Sequence, residues 1–293
     1  MKVAVVGPGA MGCLFAARLA KSGIQTTLVD YRPDRAARLQ KSGIIVDAAD
    51  GTVTAKPALA CQVPDGQHLV IVLTKAYALR NIQFRGDSPV LTLQNGLGNL
   101  EVLCSMLGSA RVLAGVTCEA ATLLSEGHVQ RVAAGLTSVG SWTSCSTQPA
   151  VDALRKAGFE VEVTESPGQK IWEKVTINAA INPLTALLGV PNGRLLDLKE
   201  ARQLMRDLVV ECAKVAATEG YRFNYSLVER TEEVCKQTAD NISSMLQDIR
   251  AGKRTEIDAI SGEILRRAQL ASLPTPRTRV VWQLVKGLEQ RSM

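Results

Sequence analysis

Val3-Ala4-Val5-Val6-Gly7-Pro8-Gly9-Ala10-Met11-Gly12 is the stretch that decides how the first half of this chain folds. Val3 to Val6 is short and wholly apolar, which predicts a buried strand. Residues 10 to 22 read as a helix, with Leu14, Ala17 and Leu19 among its buried positions and Gly23 as its stop. Between strand and helix lies a GxGxxG loop. Alone the pattern is weak, but here it follows a strand and opens a helix. Asp30 closes the next strand, Gln25 to Asp30, where a dinucleotide-binding unit places its acidic residue. Gly7 is expected to allow the tight turn, Gly9 to let backbone approach a pyrophosphate, and Gly12 to let the helix pack close to the sheet. The free N–H groups at the helix start would receive the phosphates of a dinucleotide lying against the loop Gly7, Pro8, Gly9, Ala10, Met11 and Gly12.

Outward from this loop, further apolar strands are predicted at Leu69 to Thr74, Val90 to Leu93 and Val112 to Val116. Short apolar strands separated by helical segments imply a parallel sheet covered on both faces. Residues 128 to 142 alternate around Gly135 and Gly140, which predicts an antiparallel edge, and Phe159 to Val163 reads as the last strand. After Ser166-Pro167-Gly168 the character changes to helix: 170 to 188, 197 to 219, 225 to 250, 256 to 271, and a final helix after Pro274 and Pro276. The expected fold is therefore α/β, with a doubly wound Rossmann sheet over residues 1–167 and an all-α domain over 168–293.

Two groups of polar residues carry chemistry. A carboxylate at Asp30 can accept from an adenosine ribose and would repel a 2′-phosphate, which favours NADH. Arg32 and Arg35 lie close enough in sequence to bind that phosphate instead, so the segment pulls both ways. In the second half, Lys174, Asn178 and Asn182 are spaced i, i+4, i+8 on one helix face while Ile177, Ala179, Ala180 and Ile181 around them are apolar. Such a stripe on a buried helix is costly unless it faces a polar cleft. Pro183 is expected to kink or loosen the helix there. Asn241 to Asp248 and Arg254 to Asp258 form a second cluster, in which Ser244 and Glu256 suit a carboxylate and a hydroxyl, although helix caps would use the same residue types.

The 293 residues carry a formal charge of +6, with Lys and Arg scattered in mixed-sign stretches and aromatics only 4% of the chain, which argues against a nucleic-acid partner. Only two histidines occur, neither at ligand spacing with a cysteine, so no metal site is expected. Seven cysteines form no CxxC pair, as for free thiols in a reducing compartment. The start lacks a signal-peptide pattern and no run approaches ~20 apolar residues, so the expectation is a cytoplasmic protein without a membrane segment.

The motifs GPGAMG at 7 to 12, Thr74-Lys75-Ala76-Tyr77, Leu93 to Asn99, Lys174-xxx-Asn178-xxx-Asn182-Pro183-Leu184-Thr185-Ala186, Asn192-Gly193, Ser243 to Asp248 and Thr255 to Asp258 follow in the order seen in one family. Across essentially the whole chain the sequence resembles the ketopantoate reductases (2-dehydropantoate 2-reductases). The resemblance implies reduction of a small 2-keto acid to (R)-pantoate, for pantothenate and coenzyme A synthesis, with NADPH as the family's usual cofactor and NADH admitted by Asp30. It implies that Lys174 donates a proton to the keto oxygen as hydride reaches the 2-carbon, with Glu256 orienting the hydroxyl and lying near the cofactor. Asn95, Asn178, Asn182, Asn192, Asn241 and Ser244 are implied as substrate ligands, and Lys75, Asn95, Ala121, Asp30 and Arg32 as cofactor contacts. A homodimer through the helical domain is a further implication. Asp30 departs from the basic or small residue that would suit a 2′-phosphate, and Ala78 to Asp87 is irregular and short for a helix. The alternatives are an NAD-dependent dehydrogenase of another D-2-hydroxy acid, such as mandelate, and a nucleotide-sensing protein without catalysis.

Overall fold

The computed structural model describes residues 1–292. The chain divides into two compact units, Met1–Gln94 with Asn99–Pro167, and Asn95–Gly98 with the residues from Gly168 onward. In the first unit the elements run β1 (Lys2–Val6), α1 (Ala10–Lys21), β2 (Gln25–Val29), α2 (Pro33–Ser42), β3 (Ile44–Ala48), β4 (Gly51–Ala55), β5 (Ala58–Ala60), β6 (Leu69–Val72) and β7 (Val90–Thr92). They continue with α3 (Asn99–Leu107), β8 (Val112–Thr117), β9 (Ala120–Ser125), β10 (His128–Ala133), β11 (Thr137–Ser141), α4 (Gln148–Lys156) and β12 (Val161–Val163).

Eight strands form the main sheet in the order β12-β11-β8-β7-β6-β1-β2-β5, and every pairing is parallel except β11 with β8. The chain leaves β1 toward β2 on one side and returns to β6 on the other, so the order switches at β1. In open α/β sheets that switch creates the crevice where ligands bind. Val6 pairs with both Val29 and Val72, which brings Gly7, Asp30 and Leu73-Thr74 to one carboxyl edge.

β4-β3-β10-β9 form a second, four-stranded sheet, and α1 packs between it and the main sheet. That explains why Cys13, Leu14, Phe15, Ala16, Ala17 and Leu19 are all inaccessible to solvent. The predicted single antiparallel edge over 128 to 142 is two strands in different sheets, and β11 is covered by β12 rather than lying at the edge. Phe15 stacks on Phe159 with centroids 4.3 Å apart, tying α1 to the segment before β12. Such pairs contribute about 0.5–1.5 kcal/mol beyond their burial.

The second unit contains α5 (Pro167–Leu188), α6 (Arg194–Asp197), α7 (Lys199–Thr218), α8 (Leu227–Gln237), α9 (Ser244–Arg250), α10 (Glu263–Leu270) and α11 (Pro276–Ser292). The predicted helix over 225 to 250 is broken at 238–243, because Ser243 accepts from the N–H of Leu246 and starts a new helix. The predicted helix over 256 to 271 begins as a single π turn, Asp258–Gly262, before α10. Helix α5 runs through Pro183 without ending there. Its Val175, Ala179 and Ala186 join one apolar cluster, and its Ala180, Ile181 and Leu184 another. With two of its faces buried, α5 has the stripe Lys174, Asn178 and Asn182 as its polar face.

Candidate active site

The glycine loop is built as a close-packed turn. Gly7 has φ +107°, a left-handed backbone that favours glycine, and a Cβ there would lie 2.8 Å from the backbone N of Thr74. A Cβ on Gly12 would lie 1.7 Å from the carbonyl oxygen of Gly7. Gly12 is therefore required where the start of α1 meets the end of β1 at Gly7. A Cβ on Gly9 would meet nothing within 4 Å. No side chain caps the start of α1 and its first turn has no acidic residue. The N–H groups of the first turn lack intrahelical partners in any helix, so Gly7 to Gly12 fit a pyrophosphate.

Asp30 is fully buried and its carboxylate is taken by Arg35, whose Nη2 donates to Oδ1 at 2.7 Å and whose Nε donates to Oδ2 at 2.5 Å. The backbone N–H of Arg32 adds a third bond at 3.1 Å. The half-exposed guanidinium of Arg32 donates to Asp34, at 3.3 Å. Lys75 precedes a 3-10 turn, Ala76–Asn81, which runs into the segment read as irregular, Ala78 to Asp87. Gln94 holds the end of β7 to the turn after β6 by donating to the carbonyl of Thr74 at 2.9 Å. Ala121 lies on β9, partly buried against the core of the first unit.

In the second unit, apolar packing assembles the polar residues. Leu97, Val175, Ala179, Met245, Leu246 and Ile257 share one cluster, so the neighbours of Asn95, Lys174, Asn178, Ser244 and Glu256 are anchored together. The Asn95 loop is pressed onto the π turn: the N–H of Leu97 donates to the carbonyl of Ala259 at 2.8 Å. Gly96, at φ +91°, would place a Cβ 2.5 Å from that same oxygen. Asn95 Nδ2 donates to Glu256 Oε2 across a long 3.4 Å. Lys174 and Asn178 are half-buried, whereas Asn182, Asn192 and Glu256 are buried.

Asn192 and Asn241 meet through the backbone, where the N–H of Asn192 donates to the carbonyl of Asn241 at 3.0 Å. Asn192 Nδ2 donates to the hydroxyl of Thr238 at 3.0 Å, and that hydroxyl donates onward to the carbonyl of Val234. The amide orientation is thereby set, and Asn192 Oδ1 is a buried acceptor with no donor among the described residues. Thr185 on α5 lies 2.7 Å from the hydroxyl of Ser243, fixing this loop to the polar helix. Ser244 is exposed at the first position of α9.

Sequence reasoning missed Thr238 and the support under Glu256, and gave Thr185 no role of its own. Thr255 donates both its N–H and its hydroxyl to Glu289 Oε1, each at 2.7 Å, and Lys286 bridges Glu289 and Asp258. One signal was present: Val281, Val285 and Glu289 are spaced by four, so a carboxylate continues a buried apolar stripe. Among the described residues no group of His, Cys, Asp and Glu is arranged to hold a metal, and no helix is long and apolar enough to cross a membrane.

Comparison with known proteins follows the same two units. Residues 3–144 match the family described as ketopantoate reductase PanE/ApbA, and residues 168–289 match its C-terminal part. The chain is 35% identical over 302 residues to the 2-dehydropantoate 2-reductase of Halobacterium salinarum, covering 99% of both. Its fold is similar to a PanE/ApbA family ketopantoate reductase from Ralstonia eutropha JMP134, at a TM-score of 0.90, 29% identity and coverage of 100% and 99%. It is similar as well to D-mandelate dehydrogenase in a ternary structure with NADH and anilino(oxo)acetate, at a TM-score of 0.91, 26% identity and the same coverage. With both halves of the chain matched in order and a full-length relative at 35% identity, the protein belongs to the ketopantoate reductase PanE/ApbA family.

Proposed function

We propose that this protein reduces 2-dehydropantoate to (R)-pantoate, with Lys174 as the proton donor. The observation that carries the choice of substrate is Asn192 Oδ1, a buried acceptor left without a donor. An unmade hydrogen bond at such a group costs about 1–3 kcal/mol, which a ligand hydroxyl would relieve. Ketopantoate offers a hydroxyl remote from its 2-keto acid group, and a phenyl-substituted keto acid does not. The likeness to D-mandelate dehydrogenase supports a second reading, an NAD-linked dehydrogenase of a bulkier D-2-hydroxy acid.

In the first unit, Gly7, Pro8, Gly9, Ala10, Met11 and Gly12 would hold the cofactor pyrophosphate, Asp30 and Arg32 the adenosine end, and Lys75 and Ala121 further parts. When bound, the nicotinamide cofactor supplies a hydride. Neutralisation of Asp30 by Arg35 supports use of NADPH as well as NADH. Lys174 donates its proton to the keto oxygen, and its charge stabilises the alkoxide as it develops. Glu256 orients the new hydroxyl and the ammonium of Lys174. Asn178, Asn182, Asn192, Asn241 and Ser244 bind the carboxylate and the remote hydroxyl and so fix the face of the ketone.

The experiment is an assay of the purified protein for NADPH and NADH oxidation with ketopantoate and with phenylglyoxylate. Ketopantoate is expected to be turned over with the higher kcat/KM, and Lys174→Ala to reduce kcat ~10²-fold or more while leaving NADPH binding intact. Preference for phenylglyoxylate would favour the second reading. Binding of NADPH without oxidation by any 2-keto acid would leave a nucleotide-sensing protein.

A further inference from the structure

We propose that Glu289, on the last helix, is a positioning residue for Glu256, an inference that rests on the catalytic reading of Glu256 given above. Glu289 is 2% exposed, yet it sits on the face of α11 that also carries the buried Val281 and Val285. Burying a carboxylate is costly unless its charge and its acceptor capacity are both used. Here both are. Oε1 accepts the N–H and the hydroxyl of Thr255, and Oε2 lies 2.8 Å from Lys286 Nζ. Burial pushes the Glu289 carboxyl up, but the bonds from Lys286 and Thr255 outweigh it and keep the group ionised below its ordinary range.

The same helix fixes the chain on the other side of Glu256. Asp258 accepts from Trp282 Nε1 at 3.0 Å and from Lys286 Nζ at 3.0 Å. Thr255 Oγ1, held by Glu289, in turn accepts the N–H of Ile257 at 3.1 Å. Residues 255, 257 and 258 are thus all fixed from α11, directly or through one hydroxyl, and Glu256 lies between them. The start of α11 is itself anchored, because Glu211 on α7 accepts the N–H groups of Arg277 and Thr278. The π turn that follows, Asp258–Gly262, carries the Ala259 carbonyl that holds the Asn95 loop. Widened turns of this kind are frequent at functional sites. A displacement of Thr255 would move Glu256 and its partner Asn95 together.

A double-mutant cycle tests this, read in kcat for ketopantoate reduction and in the Kd for NADPH. Glu289→Leu keeps the apolar stripe but removes the acceptor for Thr255. It is expected to lower kcat on the order of ten-fold, as misplaced groups of this kind do, and to weaken NADPH binding no more than Glu256→Gln does. In a Glu256→Gln background the same substitution should cost under about two-fold, because its effect passes through Glu256. Glu289→Gln, which retains an acceptor oxygen, should recover most of the loss. If Glu289→Leu does not fold, Lys286→Met replaces it in the cycle and should lower kcat only when Glu256 is present. An equal loss in both backgrounds, or no loss of kcat in either, overturns the inference. A Glu256→Gln enzyme with unchanged kcat overturns instead the reading of Glu256 on which it stands.

Discussion

The carboxylate of Asp30 is closed from both oxygens by Arg35, at 2.5 and 2.7 Å, and none of its surface reaches solvent. An acidic residue at the end of the second strand ordinarily selects NADH by accepting from the ribose and repelling a 2′-phosphate. Here the charge is compensated before any cofactor arrives. Arg35→Ala is expected to uncover the carboxylate and to raise the ratio of the NADPH Kd to the NADH Kd by about ten-fold or more, since like charges brought together are strongly penalised. Fluorescence titration of the reduced cofactors without substrate measures the ratio. An unchanged ratio would show that Arg35 only braces the loop.

The orphan oxygen of Asn192 makes a prediction about substrate choice. Asn192→Leu removes both the bond to Thr238 and the acceptor offered to a ligand. The KM for ketopantoate should rise about ten-fold, the usual scale of one lost hydrogen bond in a buried site. The KM for a 2-keto acid of similar size without a hydroxyl should change by much less. Equal effects on the two substrates would place the hydroxyl elsewhere.

The parts of this protein that could be read from its residues are those set by local rules. The glycine loop, its strands and α1 were legible because turn, periodicity and spacing all fall between Val3 and Asp30. The small sheet was not. Ile44–Ala48 and Gly51–Ala55 are short and mixed in polarity, and β3 pairs with β10, which lies far later in the chain. Asp30 illustrates the same limit within the site. Its residue type was informative, but its pairing with Arg35 rather than a solvated carboxylate depends on where α2 begins after β2. Lys174, Asn178 and Asn182 were visible as a stripe because helical spacing is regular. Glu289 serves Thr255, a residue several helical turns and a loop upstream, and nothing local names that partner.

Stability at low pH should depend on Glu232. Arg202 and Arg206 on α7 both donate to it, at 2.6 to 2.9 Å, and the bond from Arg202 is the largest influence holding its pKa down to about 2. In an unfolded chain a glutamate titrates near ~4.3. The folded value is the lower one, so the stabilisation is complete above about pH 4.5 and is lost as pH falls toward 2. The Tm of the native protein should exceed that of Glu232→Gln at neutral pH, and the gap should close as acid is added. A gap that persists near pH 2.5 would assign the difference to packing instead.

Gly9 and Gly12 separate folding from cofactor binding. A methyl on Gly12 would overlap the Gly7 carbonyl at 1.7 Å, and α1 cannot recoil because it is packed between two sheets. Overpacking of this kind costs typically about 1–3 kcal/mol and more when backbone must move. Gly12→Ala is therefore expected to lower Tm and to weaken binding of NADPH as a consequence. A methyl on Gly9 meets no protein atom within 4 Å, so Gly9→Ala should keep its Tm. It would nevertheless stand in the space through which backbone approaches a pyrophosphate. The Kd of Gly9→Ala for NADPH should rise by about ten-fold or more, a loss of roughly 1.4 kcal/mol. Thermal melts and fluorescence titrations on the two variants check the pair. Should Gly9→Ala bind NADPH as tightly as the native chain, the phosphates do not lie against this loop, and the cofactor must be held by some other part of the first unit.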